Sequence, residues 1–236
     1  PPILARPFFK EFYKTLGFAR YSVMVFLFLT MASLASMFGF FIHLFVRTHC
    51  VQGWGRWGQT GYEDTENRGD GANEMGDNLP IVNLGTDFDV ADFSTVYGAT
   101  CALSTSSEIK CFGYNNHGQL GYGDTTNRGG TAGSMGDALP FIELGSGFSE
   151  NGLRLASSQD GGNGHICVYE ESSEFLLKCW GSNYYNTGVG GGQLGLGDYE
   201  HRGDEPGEMG DNLPVIAYGG GTNFVIAEVV KIRWSA

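Results

Sequence analysis

One long motif occurs three times in this chain, and internal repetition restricts the fold more than any other property a sequence carries. It reads "GWGRWGQTGYEDTENRGDGANEMGDNLP" from 53 to 80, "CFGYNNHGQLGYGDTTNRGGTAGSMGDALP" from 111 to 140, and "CWGSNYYNTGVGGGQLGLGDYEHRGDEPGEMGDNLP" from 179 to 214. Aligned, Asp64, Asp124 and Asp198 coincide, as do Arg68, Arg128 and Arg202, then Met75, Met135 and Met209, then Pro80, Pro140 and Pro214. The periods are 60 and 74 residues, and the extra 14 divide into insertions in turn-rich places. Surface loops of a repeat unit absorb such insertions at small entropic cost.

Each proline is followed by an apolar, strand-like run ("IVNLG", "FIELG", "VIAYG") and then a looser strand. The segments "TCALSTSSEIKCFG" and "HICVYEESSEFLLKCWG" that come next predict β-hairpins, being apolar runs separated by a polar turn. Glycine supplies 36 of the 190 residues after Val46, too many for helices and well suited to tight turns. Cys101 and Cys111 are symmetric about Ser106, and Cys167 and Cys179 about Ser173, so each pair faces across its hairpin. Directly opposed Cβ atoms lie about 4.5 to 5.5 Å apart, within disulfide range. Each closed loop of about 11 residues would then contribute on the order of 2.5 to 3 kcal/mol in the chain-entropy model. Two disulfides are expected, with two reduced core pairs as the alternative; zinc is disfavoured by the lack of a close C-x-x-C spacing. Cys50 has no counterpart.

In the form "C-[FW]-G-x-N-x-x-G-Q-L-G-x-G-D", followed by "LP" and a "CAL…KC" hairpin, the repeat resembles that of the regulator of chromosome condensation family over about 51 to 236. The pattern is carried by Cys111, Phe112, Gly113, Asn115, Gly118, Gln119, Leu120, Gly121, Gly123 and Asp124. It returns at Cys179, Trp180, Gly181, Gln193, Leu194, Gly195, Gly197 and Asp198. The first copy departs, with Gly53 in place of the cysteine, Thr60 of the leucine and Glu63 of the glycine. The resemblance implies a mostly β domain of propeller-type, four-stranded blades. Three repeats do not close a seven-bladed ring, so it implies an incomplete, open-arc β-propeller-like domain with repeats at about 51–110, 111–178 and 179–236. Each motif then acts as a connector between blades: Asn115 and Asp124 suit turns, while Leu120, Met135 and Leu139 pin the loop to the core. The family's guanine-nucleotide exchange and chromatin binding are opposed by the missing blades, by an acidic surface and by a membrane anchor.

Charge and hydropathy divide the chain. The first 50 residues carry Arg6, Lys10, Lys14, Arg20 and Arg47 against Glu11 alone, whereas the rest has 9 basic and 25 acidic residues, a net charge of −16. So acidic a domain is repelled by phosphate backbones, which argues against nucleic acid as a partner. Tyr21 to Val46, "YSVMVFLFLTMASLASMFGFFIHLFV", is a run of 26 uncharged residues and predicts a transmembrane helix. Residues 1–20 predict a short amphipathic helix with Phe8, Phe9, Phe12, Tyr13 and Leu16 near one face, suited to the lipid interface or to a neighbouring protein. Four basic residues precede the span, and Arg47 and Arg56 follow it closely. This places the N-terminus on the stromal or cytoplasmic side and the 47–236 domain on the opposite, lumenal side. The absence of any N-x-[ST] sequon in an Asn-rich domain favours an organellar membrane over the secretory route.

No catalytic constellation emerges, so an enzyme is not expected. His43 lies inside the span, where an ionisable residue is a functional candidate, here as a ligand for chlorophyll magnesium or haem iron; reaching the headgroups is the competing role. Asp64, Asp70 and Asp77, or Asp198, Asp204 and Asp211, invite calcium, but their spacing matches neither an EF-hand nor the nonapeptide repeat. "RGD" at 68–70 and 202–204 falls at one fixed repeat position, and the second copy reads "RGG", so the repeat explains it better than receptor recognition does. The expected function is that of a non-enzymatic accessory subunit of a membrane-embedded complex, with other subunits and lipid as partners. An organellar energy-converting complex, such as a thylakoid photosystem with its antenna, leads; a mitochondrial respiratory subunit or a cell-surface adhesion protein is the alternative.

Within the predicted span, Ala32, Ser33, Ala35, Ser36 and Gly39 line a groove, because Ala32 with Ser36 and Ala35 with Gly39 are spaced i to i+4. Small-xxx-small faces let a second helix approach closely in lipid. Ala35→Leu or Gly39→Leu should therefore release the subunit from its complex while leaving it membrane-inserted, and Phe28→Leu should do little; copurification of partner subunits reads the difference.

Overall fold

The computed structural model describes residues 50–148, 152–158, 164–170, 176–184 and 191–216. The segment 1–20 and the span 21–46 lie outside them, and among the described residues no helix is long and apolar enough to cross a membrane.

The two Cys-bearing hairpins each gain a strand before them and become three-stranded antiparallel sheets. The first comprises β1 (Val90–Val96), β2 (Ala99–Ser104) and β3 (Ile109–Gly113), and the second β4 (Leu153–Ser157), β5 (His165–Glu170) and β6 (Leu177–Gly181). The mostly β expectation is met. Beside each outer strand runs the apolar segment that follows the repeat's proline: Ile142 N–H donates to the Ile109 carbonyl at 2.8 Å, and Ile216 N–H to that of Leu177 at 2.9 Å. Each sheet thus has a segment tied along its outer edge, but the sheets are three-stranded, and the four-stranded blades that the resemblance implies are not formed among the described residues. All residues of β2, β3 and β6 are buried, because the second face of each sheet is covered by the connector loops instead of water. That covering is why these strands lack the alternation of a half-exposed sheet.

Register pairs Cys101 with Cys111 and Cys167 with Cys179, and both pairs are disulfide-bonded. The Cys111 N–H turns away from β2 and donates to the Tyr122 hydroxyl at 3.0 Å. The cysteines therefore occupy a non-hydrogen-bonded pair, the kind in which opposed backbones come closest. The same bonds correct the alignment of the first repeat. Val51 N–H donates to the Tyr62 hydroxyl at 3.1 Å, and Gly53 bridges Arg68 as Gly113 bridges Arg128. Val51, and not Gly53, stands at the cysteine position; matching "GWG" to "CFG" by residue type had slipped the register.

Both sheets contribute to one core, in which Leu103, Ile109, Leu153, Ile166 and Trp180 are buried together with Leu120 from the connector loop. Leu120, Met135 and Leu139 are all buried as expected, and a fully buried side chain of this size contributes about 1.5 to 3 kcal/mol. Ser94 Oγ donates to Ser157 Oγ at 2.8 Å, and Ser157 Oγ to the Thr95 carbonyl at 2.7 Å, which ties β1 to β4 inside the interior. A further interaction is duplicated. Lys110, one residue before Cys111, is buried with Nζ donating to the Leu84 and Gly136 carbonyls, both at 2.8 Å. Lys178, one residue before Cys179, donates to those of Leu144 and Gly210 at 2.7 and 2.9 Å. Burial pushes both ammonium groups below the ordinary 10.5. Sequence alternation opposite an inward cysteine would leave these lysines in water; the connector loops that cover the far face supply carbonyls instead.

Successive connector loops are stitched together in one pattern. Thr86 N–H and Oγ1 donate to Asp137 at 2.6 and 3.0 Å, and Ser146 N–H and Oγ donate to Asp211 in the same way. Asp64, Asp124 and Asp198 each pair with the arginine four residues on, at 2.6, 2.7 and 2.6 Å.

Two measurements check this packing. Thr60 is buried where Leu120 and Leu194 sit in the other copies, and its hydroxyl has no hydrogen-bond partner. Thr60→Val keeps the shape and removes the unmatched hydroxyl, so denaturant unfolding should show a gain of about 1 kcal/mol. Acid should act oppositely. Asp124 is held below the ordinary 3.8 chiefly by its Arg128 hydrogen bond, and Asp137 and Asp211 chiefly by the amides of Thr86 and Ser146. A carboxylate depressed in the fold stabilises above its unfolded value and loses that stabilisation as pH falls through the folded one. The midpoint of thermal unfolding should therefore fall as pH drops below about 4, and Asp137→Asn should flatten that decline.

Candidate interaction surfaces

The connector loop is built around a buried asparagine. Asn115 Oδ1 accepts the Leu120 N–H at 2.8 Å while its Nδ2 donates to the Asp124 carbonyl at 2.7 Å. Asn183 repeats the arrangement with the Leu194 N–H at 2.9 Å and the Asp198 carbonyl at 3.0 Å. Asn183 escaped the motif reading because the "NYYNTGVGGG" insertion separates it from Gln193. With the loop closed in this way, one edge of it meets the next copy. The first and second loops join through Glu63 N–H to the Gly129 carbonyl at 3.0 Å, and the second and third through Gly123 N–H to that of Gly203 at 2.9 Å. A Cβ on Gly58 would collide with the backbone of Gly129 and Gly130, and one on Gly118 with that of Gly203 and Asp204.

Among the described residues, each half of this contact is also present once without its counterpart. On the side that a later loop would cover, Gly192 and Gly197 hold the positions of Gly118 and Gly123, yet a Cβ on Gly197 would meet nothing within 4 Å. A Cβ on Gly121 would lie 2.8 Å from Trp180 Nε1, whereas on Gly195 its nearest neighbour would be Ile216 Cγ2 at 3.5 Å. On the opposite side, Met75 is 42% exposed, although Met135 at the same repeat position is 3% exposed. Among the described residues the array therefore shows two complementary half-contacts, one on its first loop and one on its third.

A second surface uses the positions the motif leaves free. Trp54, Arg56 and Trp57 correspond to Tyr114, Asn116 and His117, which lie between the glycines and the asparagine that shape the loop. Their rings join into a strip. Trp57 contacts Trp54, Tyr97 and Tyr114 at centroid distances of 4.6, 5.4 and 4.8 Å. The line continues from Tyr114 to His117 at 6.4 Å, to His201 at 4.8 Å and to Tyr184 at 5.0 Å. Trp54, Tyr97 and Tyr184 are 49%, 38% and 46% exposed, and the Arg56 guanidinium lies 6.0 Å from the Trp54 ring. His201 Nδ1 accepts the Asn183 N–H at 3.0 Å, and burial lowers its pKa, so the imidazole is neutral near pH 7 and continues the strip as an uncharged ring. Motif reading passed over the strip because its members come from separate loops.

The other sequence candidates fall as follows. His43 and the groove of Ala32, Ser33, Ala35, Ser36 and Gly39 lie outside the described residues. Cys50 is a free, exposed thiol. The arginines of both "RGD" tripeptides, Arg68 and Arg202, are held by Asp64 and Asp198. Asp70 accepts from Asn67 Nδ2 at 2.7 Å and Asp211 accepts from Ser146, while burial, followed by the neighbouring Glu208 charge, raises the pKa of Asp204. Among the described residues no group of three or more His, Cys, Asp or Glu is placed to hold a metal ion.

No protein-family model matches the chain, and no curated protein is similar enough to count as a relative. Solved structures similar to it include the crystal structure of human WBSCR16, with 15% identity and a TM-score of 0.37 over 70% of this chain and 33% of that one. The chain thus spans about a third of the length of that structure, and a likeness this slight assigns neither family nor function.

Proposed function

We propose that this chain is a non-enzymatic accessory subunit of a membrane-embedded assembly, anchored through residues 21–46 and joined to its partners by the repeat domain. The observation that carries the reading is the pair of complementary half-contacts. Among the described residues, Gly192, Gly195 and Gly197 on the third loop, and Gly69 with Met75 on the first, leave open the surfaces that the middle of the array closes twice. Such surfaces suit a matching half, brought by a partner protein or by further copies of the repeat. The acidic repeat domain, the uncharged span and the missing glycosylation sequons favour an organellar energy-converting complex, a photosystem with its antenna first and a respiratory assembly second. Bound pigment or redox subunits in the purified complex separate those two.

Substitutions at equivalent positions test the reading. Gly195→Asn keeps a residue that tolerates positive φ, and its Cβ has room, so the fold should survive while partner subunits are lost on copurification. Met75→Glu should act likewise from the first loop. Gly121→Asn, with the same φ but Trp180 in the way, should instead unfold the domain by about 1 to 3 kcal/mol. Full retention of partners by both Gly195→Asn and Met75→Glu would sink the proposal.

A further inference from the structure

The aromatic strip needs its own explanation, because the repeat architecture does not require it. In the second loop the shaping residues Gly113, Asn115, Gly118 and Leu120 are buried, while the free positions there and in the first loop carry Tyr114, His117, Trp54 and Trp57. Trp54, Tyr97 and Tyr184 stand exposed along the strip with half-buried rings between them, and such a run of rings marks a contact surface. Two facts point to what covers it. First, Trp54 stands only eight residues after Val46, the last residue of the uncharged run. Even fully extended, eight residues reach no farther than about 29 Å, so this end of the strip is tethered close to wherever that run enters a bilayer. Second, the rings are of the interfacial kind. Indole N–H, tyrosine hydroxyl and imidazole groups bond headgroups while the ring bodies sit against acyl chains, which is the composition of the aromatic belts at membrane surfaces.

We propose that the strip from Trp54 to Tyr184 is a membrane-docking face that rests in the headgroup layer of the bilayer crossed by residues 21–46. The inference builds on the anchor reading above and adds the orientation of the domain. Charge narrows the lipid. The domain after residue 50 carries a net charge of −16, so an anionic surface repels it, and the face suits zwitterionic or uncharged sugar headgroups. Arg56, over the Trp54 and Trp57 rings, supplies a cation for headgroup phosphate.

The full chain in phosphatidylcholine vesicles provides the test. In a Trp234→Phe background the remaining indoles are Trp54, Trp57 and Trp180, and Trp180 is fully buried. A phosphatidylcholine bearing a nitroxide at headgroup depth should quench the Trp54 and Trp57 emission, aqueous iodide should not, and Trp54→Phe with Trp57→Phe should abolish the lipid-quenched component. Quenching by iodide and not by nitroxide, in a chain that floats with the vesicles, would overturn docking while leaving the anchor intact. Shielding from both quenchers would also overturn it, and would assign the strip to protein contact. A chain that does not float with the vesicles would remove the anchor reading and docking together.

Discussion

The structure rests on backbone meeting backbone where successive connector loops join. Gly58 against Gly129, and Gly118 against Gly203, approach so closely that a Cβ on Gly58 or Gly118 would overlap the neighbouring main chain. At that separation Glu63 N–H and Gly123 N–H bond across to the next loop's carbonyl. Everything else is arranged around this approach: Leu120, Met135 and Leu139 descend from the loops into the core, and Tyr122 reaches from a loop to the outer strand that carries Cys111. A chain with so much glycine loses more backbone entropy on folding than an ordinary one. Here the offsetting terms are loop closure by two disulfides and a dense set of local hydrogen bonds to Asn, Asp and Arg side chains.

Buried charge is handled by the same loops. Lys110 and Lys178 place their ammonium groups among carbonyls at the place where a loop crosses the strand. Lys110 also lies 4.7 Å from the centre of the Phe141 ring. An ammonium with two carbonyl partners links a strand of one repeat to the loop that follows it, and removing it would orphan both carbonyls inside the protein. The aromatic strip and the exposed Met75, by contrast, present apolar surface, which is the usual sign of contact with something other than water.

Several features were legible in the sequence because they depend on spacing alone. Symmetry of Cys101 and Cys111 about Ser106 reveals the pairing, since a hairpin maps equal distances from its turn onto opposite residues. The recurrence of Leu120 and Leu194 marks core contacts for a related reason: a side chain buried in one copy is buried in the next. Register in the first copy was harder. Without a cysteine at Val51 the eye settles on Gly-Trp-Gly, and only the bonds of Val51 to Tyr62 and of Gly53 to Arg68 reveal the offset. Asn183 was concealed by an insertion that lengthens the loop without moving its anchor points.

By itself the sequence determined a mostly β chain with one motif in three copies, two hairpins with paired cysteines, its acidity and its uncharged span, because each follows from periodicity, composition or distance along the chain. Tertiary structure alone decided which lysines are buried, which glycines face a neighbouring loop and which face open space, and that rings from separate loops form one strip. These are properties of contact between segments many residues apart. A linear pattern records the identity of Gly121 and Gly195 as equal, whereas packing sets Trp180 within 2.8 Å of a Cβ at one and, among the described residues, only Ile216, at 3.5 Å, near the other.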